Sequence, residues 1–192
     1  FMLIFGPSVL NPTYLDWVMQ GDGAQHVLGW LFFRHEQWLW PLGSVPSFPY
    51  PVGTTVGYTD SIPWLAIPAK VISSFLPPDF QYIGLWLGWC FFLQGWFGVK
   101  IVQELSPDPL IQILGGACFI LDPVLLWRIG HDSLCAHWLL LGLIWLHLRS
   151  WPEGRTPHRA LAMTLGFCLI SAGVHPYLAI MVWALAVALV YK

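Results

Sequence analysis

Acidic residues and histidines gather at a few points of a chain that otherwise carries little charge. The stretch "QGDGAQH" sets Asp22 between two glycines with His26 one helical turn further on, and "WRIGHDSLCAHW" puts Arg128, His131, Asp132 and His137 within ten residues. Asp60 stands in "YTDSIP" and His175 in "GVHPYL". Carboxylates and imidazoles move protons in acid-base catalysis, and both are ligand types for a divalent ion. Asp22, His131 and Asp132 are the metal candidates by chemistry, although the chain has no HExxH, DxD or CxxC pattern to support them by spacing. Structural roles compete with each of these. Asp22 and Asp60 both precede helical patterns and suit N-caps. Arg128 and Asp132 stand at i and i+4 and could pair, and His175 could satisfy carbonyls that Pro176 leaves unbonded.

These groups sit in apolar surroundings. Hydrophobic residues make up 57% of the 192 and charged ones 9%, against roughly 25% charged in an ordinary soluble domain, and the mean hydropathy is +0.64. Such a composition predicts a membrane protein, in which polar residues at membrane depth are paired or line a cavity. The 13 Trp suit a membrane-water interface. A net charge of -2 without a basic cluster offers nothing to a phosphate backbone, which excludes nucleic acid as a partner. Cys90, Cys118, Cys135 and Cys168 all fall in apolar runs and read as packing residues.

The elements that must position the polar groups follow from hydropathy. Residues 1 to 10 read as the end of a first membrane span, and 11 to 80, rich in Pro, Gly and aromatics, as a long first loop. Apolar segments follow at 82 to 99, 109 to 127, 134 to 148, 160 to 174 and 177 to 191. Several fall short of the roughly 20 residues that a straight crossing needs, so short or re-entrant helices are expected. Pro176 divides the last pair, which as one helix would far exceed a bilayer core of about 30 Å. The abrupt apolar ends, "FMLIFGPSVL" and "VWALAVALVYK", read as those of an N-terminal piece of a longer chain.

Within the long loop, Val27, Leu28, Leu31 and Phe32 recur at helical spacing and suggest an interfacial helix. "YTDSIPWLAIPAKVISSFLPPD" suggests a second, capped by Asp60 or Ser61. Lys100, Arg149, Arg155 and Arg159 fall in the second and fourth connections, which the positive-inside rule makes cytoplasmic. The long loop, the Arg128–Asp132 turn and the His175 turn then share the outer face. The predicted fold class is all-α: a polytopic transmembrane bundle with a long first outer loop carrying two interfacial helices.

An acid just after the first span, a long first outer loop with two interfacial helices, and an acid in a short second outer turn resemble the GT-C class of integral-membrane glycosyltransferases. More closely, "GDGAQHVLGWLFFR", "YPVGTTVGYTDSIPWLAI" and "GHDSLCAHWLLL" look like segments of an uncharacterised bacterial membrane-protein family with that fold. The resemblance implies transfer of a hexosyl or pentosyl group from a polyprenyl-phosphate donor to a glycan, lipid or protein acceptor at the outer face of a bacterial inner membrane. It carries the first-loop acid, the general base or acceptor-binding group, onto Asp22 and the second-loop acid onto Asp132. His131 before a single Asp departs from the paired acids of oligosaccharyltransferases, and metal dependence stays open. Arg128 would grip the leaving phosphate, with Arg34 a second candidate, and His131, His26, Asp60 and His175 complete the substrate-binding set. A transporter or flippase for a lipid-linked intermediate and a non-catalytic membrane scaffold are the alternatives.

Overall fold

The structure, a computed structural model, describes residues 2–149 and 156–190. Arg155, one of the basic loop residues above, lies outside the described residues, as do Phe1, Tyr191 and Lys192. The described residues are mostly helical. In chain order they form α1 (Met2–Phe5), α2 (Gly23–His35), α3 (Pro63–Val71), α4 (Ile83–Gln103), α5 (Pro109–Ile120), α6 (Pro123–Trp127), α7 (Trp138–Leu148), α8 (Thr156–Ala172) and α9 (Pro176–Val190). A two-residue antiparallel pair, β1 (Ser44–Val45) and β2 (Thr54–Thr55), ties the long loop together, with Ser44 opposite Thr55.

Proline sets four of the helix starts. Its fixed φ suits a first turn, and its missing N–H falls where a helix has no acceptor for one; α3, α5, α6 and α9 all begin on it. Two of these starts are also capped by carboxylates. Asp108 accepts from the Leu110 N–H at 2.8 Å and Asp122 from the Val124 N–H at 3.0 Å. The second cap divides the segment expected as a single helix over 109 to 127 into α5 and α6. Expected caps elsewhere are absent: Asp22 occupies the N-cap position of α2 without a side-chain hydrogen bond, and the N-cap of α3 is Ile62 rather than Asp60 or Ser61.

Two segments, Ile83–Gln103 and Pro109–Trp127, are long and apolar enough to cross a membrane. The first spans about 31 Å at 1.5 Å per residue. Asp132–Leu148, His158–Ala172 and Pro176–Leu189 are shorter apolar helical segments. Helix α4 packs on α5 and α7, α7 also touches α8 and α9, and α8 packs on α9. The α4–α5 contact is close because Gly116 lacks a side chain: a Cβ there would lie 2.4 Å from Val99 Cγ2. Large apolar residues face outward on these helices, including Ile113 and Leu114 on α5 and Trp183 and Val187 on α9.

The long loop is no separate layer. Val27 and Trp30 of α2 and Ile62 share one buried cluster with Tyr82, Trp86, Leu139, Leu143 and Val182, so α2 buries a face against protein. Cys90 and Cys135 are buried, Cys118 is exposed, and all four cysteines are free thiols.

Candidate functional site

His26 lies on the buried face of α2, where its ring meets carboxylates on both sides. Its Nδ1 is 3.0 Å from Asp132 Oδ2 and its Nε2 is 3.4 Å from Asp60 Oδ2. His26 and Asp132 are each 1% exposed and Asp60 is 14% exposed. Burial alone would lower the His26 pKa, but the hydrogen bond to Asp132 and the nearby charges of Asp132 and Asp60 outweigh it and raise the value to about 9. Asp60 is likewise pushed up by burial and pulled down more strongly by His175 and His26, which hold it well below the usual carboxylate range.

Each partner is fixed by its own element. Asp132 opens the short 3-10 turn Asp132–Cys135, and its carbonyl accepts the Trp86 Nε1–H of α4 at 2.8 Å. His175 closes the α8–α9 turn; its Nδ1 accepts the Tyr177 N–H at 3.1 Å, so its Nε2 carries the proton and donates to Asp60 Oδ1 at 2.9 Å. Asp60 is held by unusual backbone. Its φ is 56° and that of Ile62 is 49°, a left-handed region that Asp tolerates and a β-branched residue strongly avoids. Hydrogen bonds surround these two positions: Ser61 Oγ donates to the His26 carbonyl at 2.7 Å and pairs with Thr59 Oγ1 at 2.8 Å, and the Tyr82 hydroxyl donates to the Ser61 carbonyl. Gly29 allows this approach, since a Cβ there would lie 2.2 Å from Thr59 Oγ1.

Asp60 and His175 open onto a cavity of about 1010 Å³. Leu134, Leu140, Leu141, Ile144, Leu178 and Met181 give it an apolar wall, while Arg128, His131, His137 and Asp122 add polar groups. The cavity has the two chemistries of an amphiphile: a long apolar surface and a polar cluster with one guanidinium.

The residues singled out from the sequence divide into layers. Asp60, Arg128, His131 and His175 line the cavity, and His26 and Asp132 lie buried behind it. Asp22 is not among the lining residues; it is 76% exposed, with Oδ2 3.6 Å from Nε2 of His131, itself 46% exposed. The i, i+4 pairing of Arg128 with Asp132 is not formed, because the Asp132 carboxylate turns to His26 and to the Gly130 N–H at 3.4 Å. Arg34, the second phosphate candidate, is engaged within the loop: its guanidinium donates to the carbonyls of Ser73, Leu76, Pro77 and Pro78 at 2.5–3.1 Å and ties α2 to the end of the loop.

Metal-ligand geometry also regroups. His26, Asp60 and His131 each bring one ligand atom within 4.8 Å of the others, whereas the trio expected from chemistry alone was Asp22, His131 and Asp132. Asp132 instead contacts the other nitrogen of His26. The sequence reading passed over Asp122 and Gln94, which both line the cavity. The Asp122–Pro123 step inside an apolar run was the available signal for the first; Gln94, alone in an apolar helix, gave only a weak one.

No curated protein and no solved structure matches the chain. The family described as a domain of unknown function, DUF6311, matches it over residues 1–192, and the chain belongs to that family.

Proposed function

We propose that this chain carries the active site of a GT-C-type membrane glycosyltransferase, a polytopic bundle of the bacterial inner membrane that moves a sugar from a polyprenyl-phosphate donor to an acceptor at the outer face. The observation that carries the reading is the cavity of about 1010 Å³, apolar along α7 and α9 and polar at Asp60, His131, His175 and Arg128. A polyprenyl chain fits the apolar wall, and the phosphate fits Arg128, whose planar guanidinium offers paired N–H donors. The outward apolar faces of α5 and α9 support the membrane setting, and the placement of Lys100 in the last turn of α4 and of Arg149, Arg155 and Arg159 between the apolar stretches of α7 and α8 supports its orientation.

In this reading the acceptor arrives from water at the exposed rim, where Asp22 stands beside His131. Asp22 takes the proton of the acceptor hydroxyl. The oxygen attacks the anomeric carbon, the bond from that carbon to the phosphate oxygen breaks with inversion, and the leaving phosphate keeps the electron pair, its charge met by Arg128. His175 and Asp60 hold the polar end of the cavity in shape. The acceptor is a hydroxyl of a glycan, lipid or protein.

The test is donor turnover by the full-length protein in proteoliposomes loaded with polyprenyl-phosphate sugars. Asp22→Asn should abolish transfer with folding intact, and Arg128→Gln should raise KM for the donor. Full activity in Asp22→Asn refutes the base. Transbilayer movement of donor with its sugar-phosphate bond uncleaved would make the chain a flippase, the reading that the helix break at Pro176 beside the cavity favours next.

A further inference from the structure

We propose that His26, Asp60 and His131 form a binding site for one divalent transition-metal ion of the Zn²⁺ and Co²⁺ type, held by two imidazoles and one carboxylate at the polar end of the cavity. The site is independent of sugar transfer and stands on its donors alone.

The spacing of the first pair suits an ion better than a proton. His26 Nε2 and Asp60 Oδ2 are 3.4 Å apart, long for a charge-assisted hydrogen bond of about 2.7–2.9 Å. Two ligands bonded to tetrahedral zinc at about 2.0–2.1 Å stand roughly 3.4 Å from each other. His131 completes the trio with all three ligand atoms within 4.8 Å, so the widest gap closes by about 1.4 Å to reach that edge. His131 can make this move because its side chain is nearly half exposed and its ion-pair contact among the described residues, to Asp22, spans 3.6 Å.

The surroundings are those of a ligating histidine. Metal-bound imidazoles nearly always donate their second N–H to a carboxylate or carbonyl, which fixes the tautomer and aims the free nitrogen at the ion. His26 Nδ1 faces the buried Asp132 carboxylate at 3.0 Å, which leaves Nε2 aimed at Asp60. Asp60 has one oxygen engaged by His175 at 2.9 Å, and its Oδ2 faces His26. Three protein ligands with the cavity beyond them leave a position for water or a substrate oxygen, as in zinc sites that do chemistry. Two imidazoles beside one carboxylate select zinc or cobalt over magnesium and calcium, which prefer all-oxygen shells.

Full-length protein in detergent, stripped with chelator, is titrated with Co²⁺ read by visible absorption and with Zn²⁺ read by calorimetry. The expected result is one ion per chain. His131→Ala, at an exposed position, should abolish the Co²⁺ bands; Asp132→Asn, which keeps all three ligands, should weaken Zn²⁺ binding about 10–100-fold. Asp122→Asn, in the same cavity but outside the trio, should leave both unchanged. A stoichiometry near zero in the unsubstituted protein, or Co²⁺ bands unaltered by His131→Ala, overturns the site. Neither readout depends on glycosyl transfer, so its failure and that of the transferase reading are separable.

Discussion

Truncating Asp132 to alanine should destabilise the metal-stripped protein by about 3 kcal/mol near neutral pH. Asp132 and His26 are both 1% exposed and 3.0 Å apart, and removing one member of a buried pair leaves the other desolvated and uncompensated, which costs about 3–5 kcal/mol. A second route gives a similar figure. Raising the His26 pKa from 6.5 to about 9 corresponds to about 3 kcal/mol of preferential stabilisation of the imidazolium. Asp132 is the nearer of the two carboxylates responsible, at 3.0 Å against 3.4 Å for Asp60. The Trp86 hydrogen bond is to the Asp132 backbone carbonyl and survives the substitution, so the loss belongs to the side chain. Asp132→Asn keeps an acceptor without the charge and should lose about half as much.

The sign of the pH dependence follows from the direction of the shift. A histidine whose folded pKa is raised contributes its full stabilisation below the unfolded pKa, here 6.5, and loses it as pH rises through about 9. The gap between the unsubstituted protein and Asp132→Ala should therefore be largest near pH 6 and shrink toward about pH 10. Denaturant titrations in detergent with chelator present, followed by tryptophan fluorescence, measure it. A gap under about 1 kcal/mol at pH 6, or one that does not change with pH, would refute the buried imidazolium.

Two other substitutions probe how the site is held. Gly29→Ala places a Cβ 2.2 Å from Thr59 Oγ1 and 2.5 Å from Ser61 Oγ; overpacking of this kind costs about 1–3 kcal/mol, and the displaced Asp60 should also weaken Co²⁺ binding, whereas native stability and affinity would show that the loop yields freely. Arg34→Met removes the donor to the Ser73, Leu76, Pro77 and Pro78 carbonyls and should cost about 2 kcal/mol and raise protease cleavage after Ser73; an unchanged digestion pattern would assign those carbonyls to water.

Hydropathy and proline located the helices closely because both act locally. Pro176 divides α8 from α9, and Pro109 opens α5. The misses have local causes too. Segment 82 to 99 was ended at Lys100, yet α4 runs on to Gln103 because the lysine lies along the helix, bonding Gln103 and covering the Trp96 ring at 5.3 Å. The site was harder to read. Asp22, His26, Asp60, His131, Asp132 and His175 could be suspected of sharing one face, but His26 and Asp132 are 106 residues apart in sequence and nothing local pairs them. Asp60 resembled a cap because "TDSIP" has the composition of a helix start; the left-handed backbone at Asp60 and Ile62 that turns its carboxylate toward the two imidazoles leaves no mark in composition.

That backbone bears on how the acids divide their work. Left-handed conformations at non-glycine residues cost about 1–3 kcal/mol each and persist only where surrounding contacts enforce them; here Ser61, Thr59 and Tyr82 do so. An ordinary N-cap at Asp60 would have avoided the strain and given α3 a better start. The chain instead sets Asp60 between His26 and His175, where its carboxylate is held so firmly ionised that it makes a poor proton acceptor and a good anchor for a cation. Asp22 is the complement. It is 76% exposed, with His131 as its ion-pair partner among the described residues. A carboxylate open to water and one fixed between imidazoles have opposite environments, and Asp22 and Asp60 occupy them around His131.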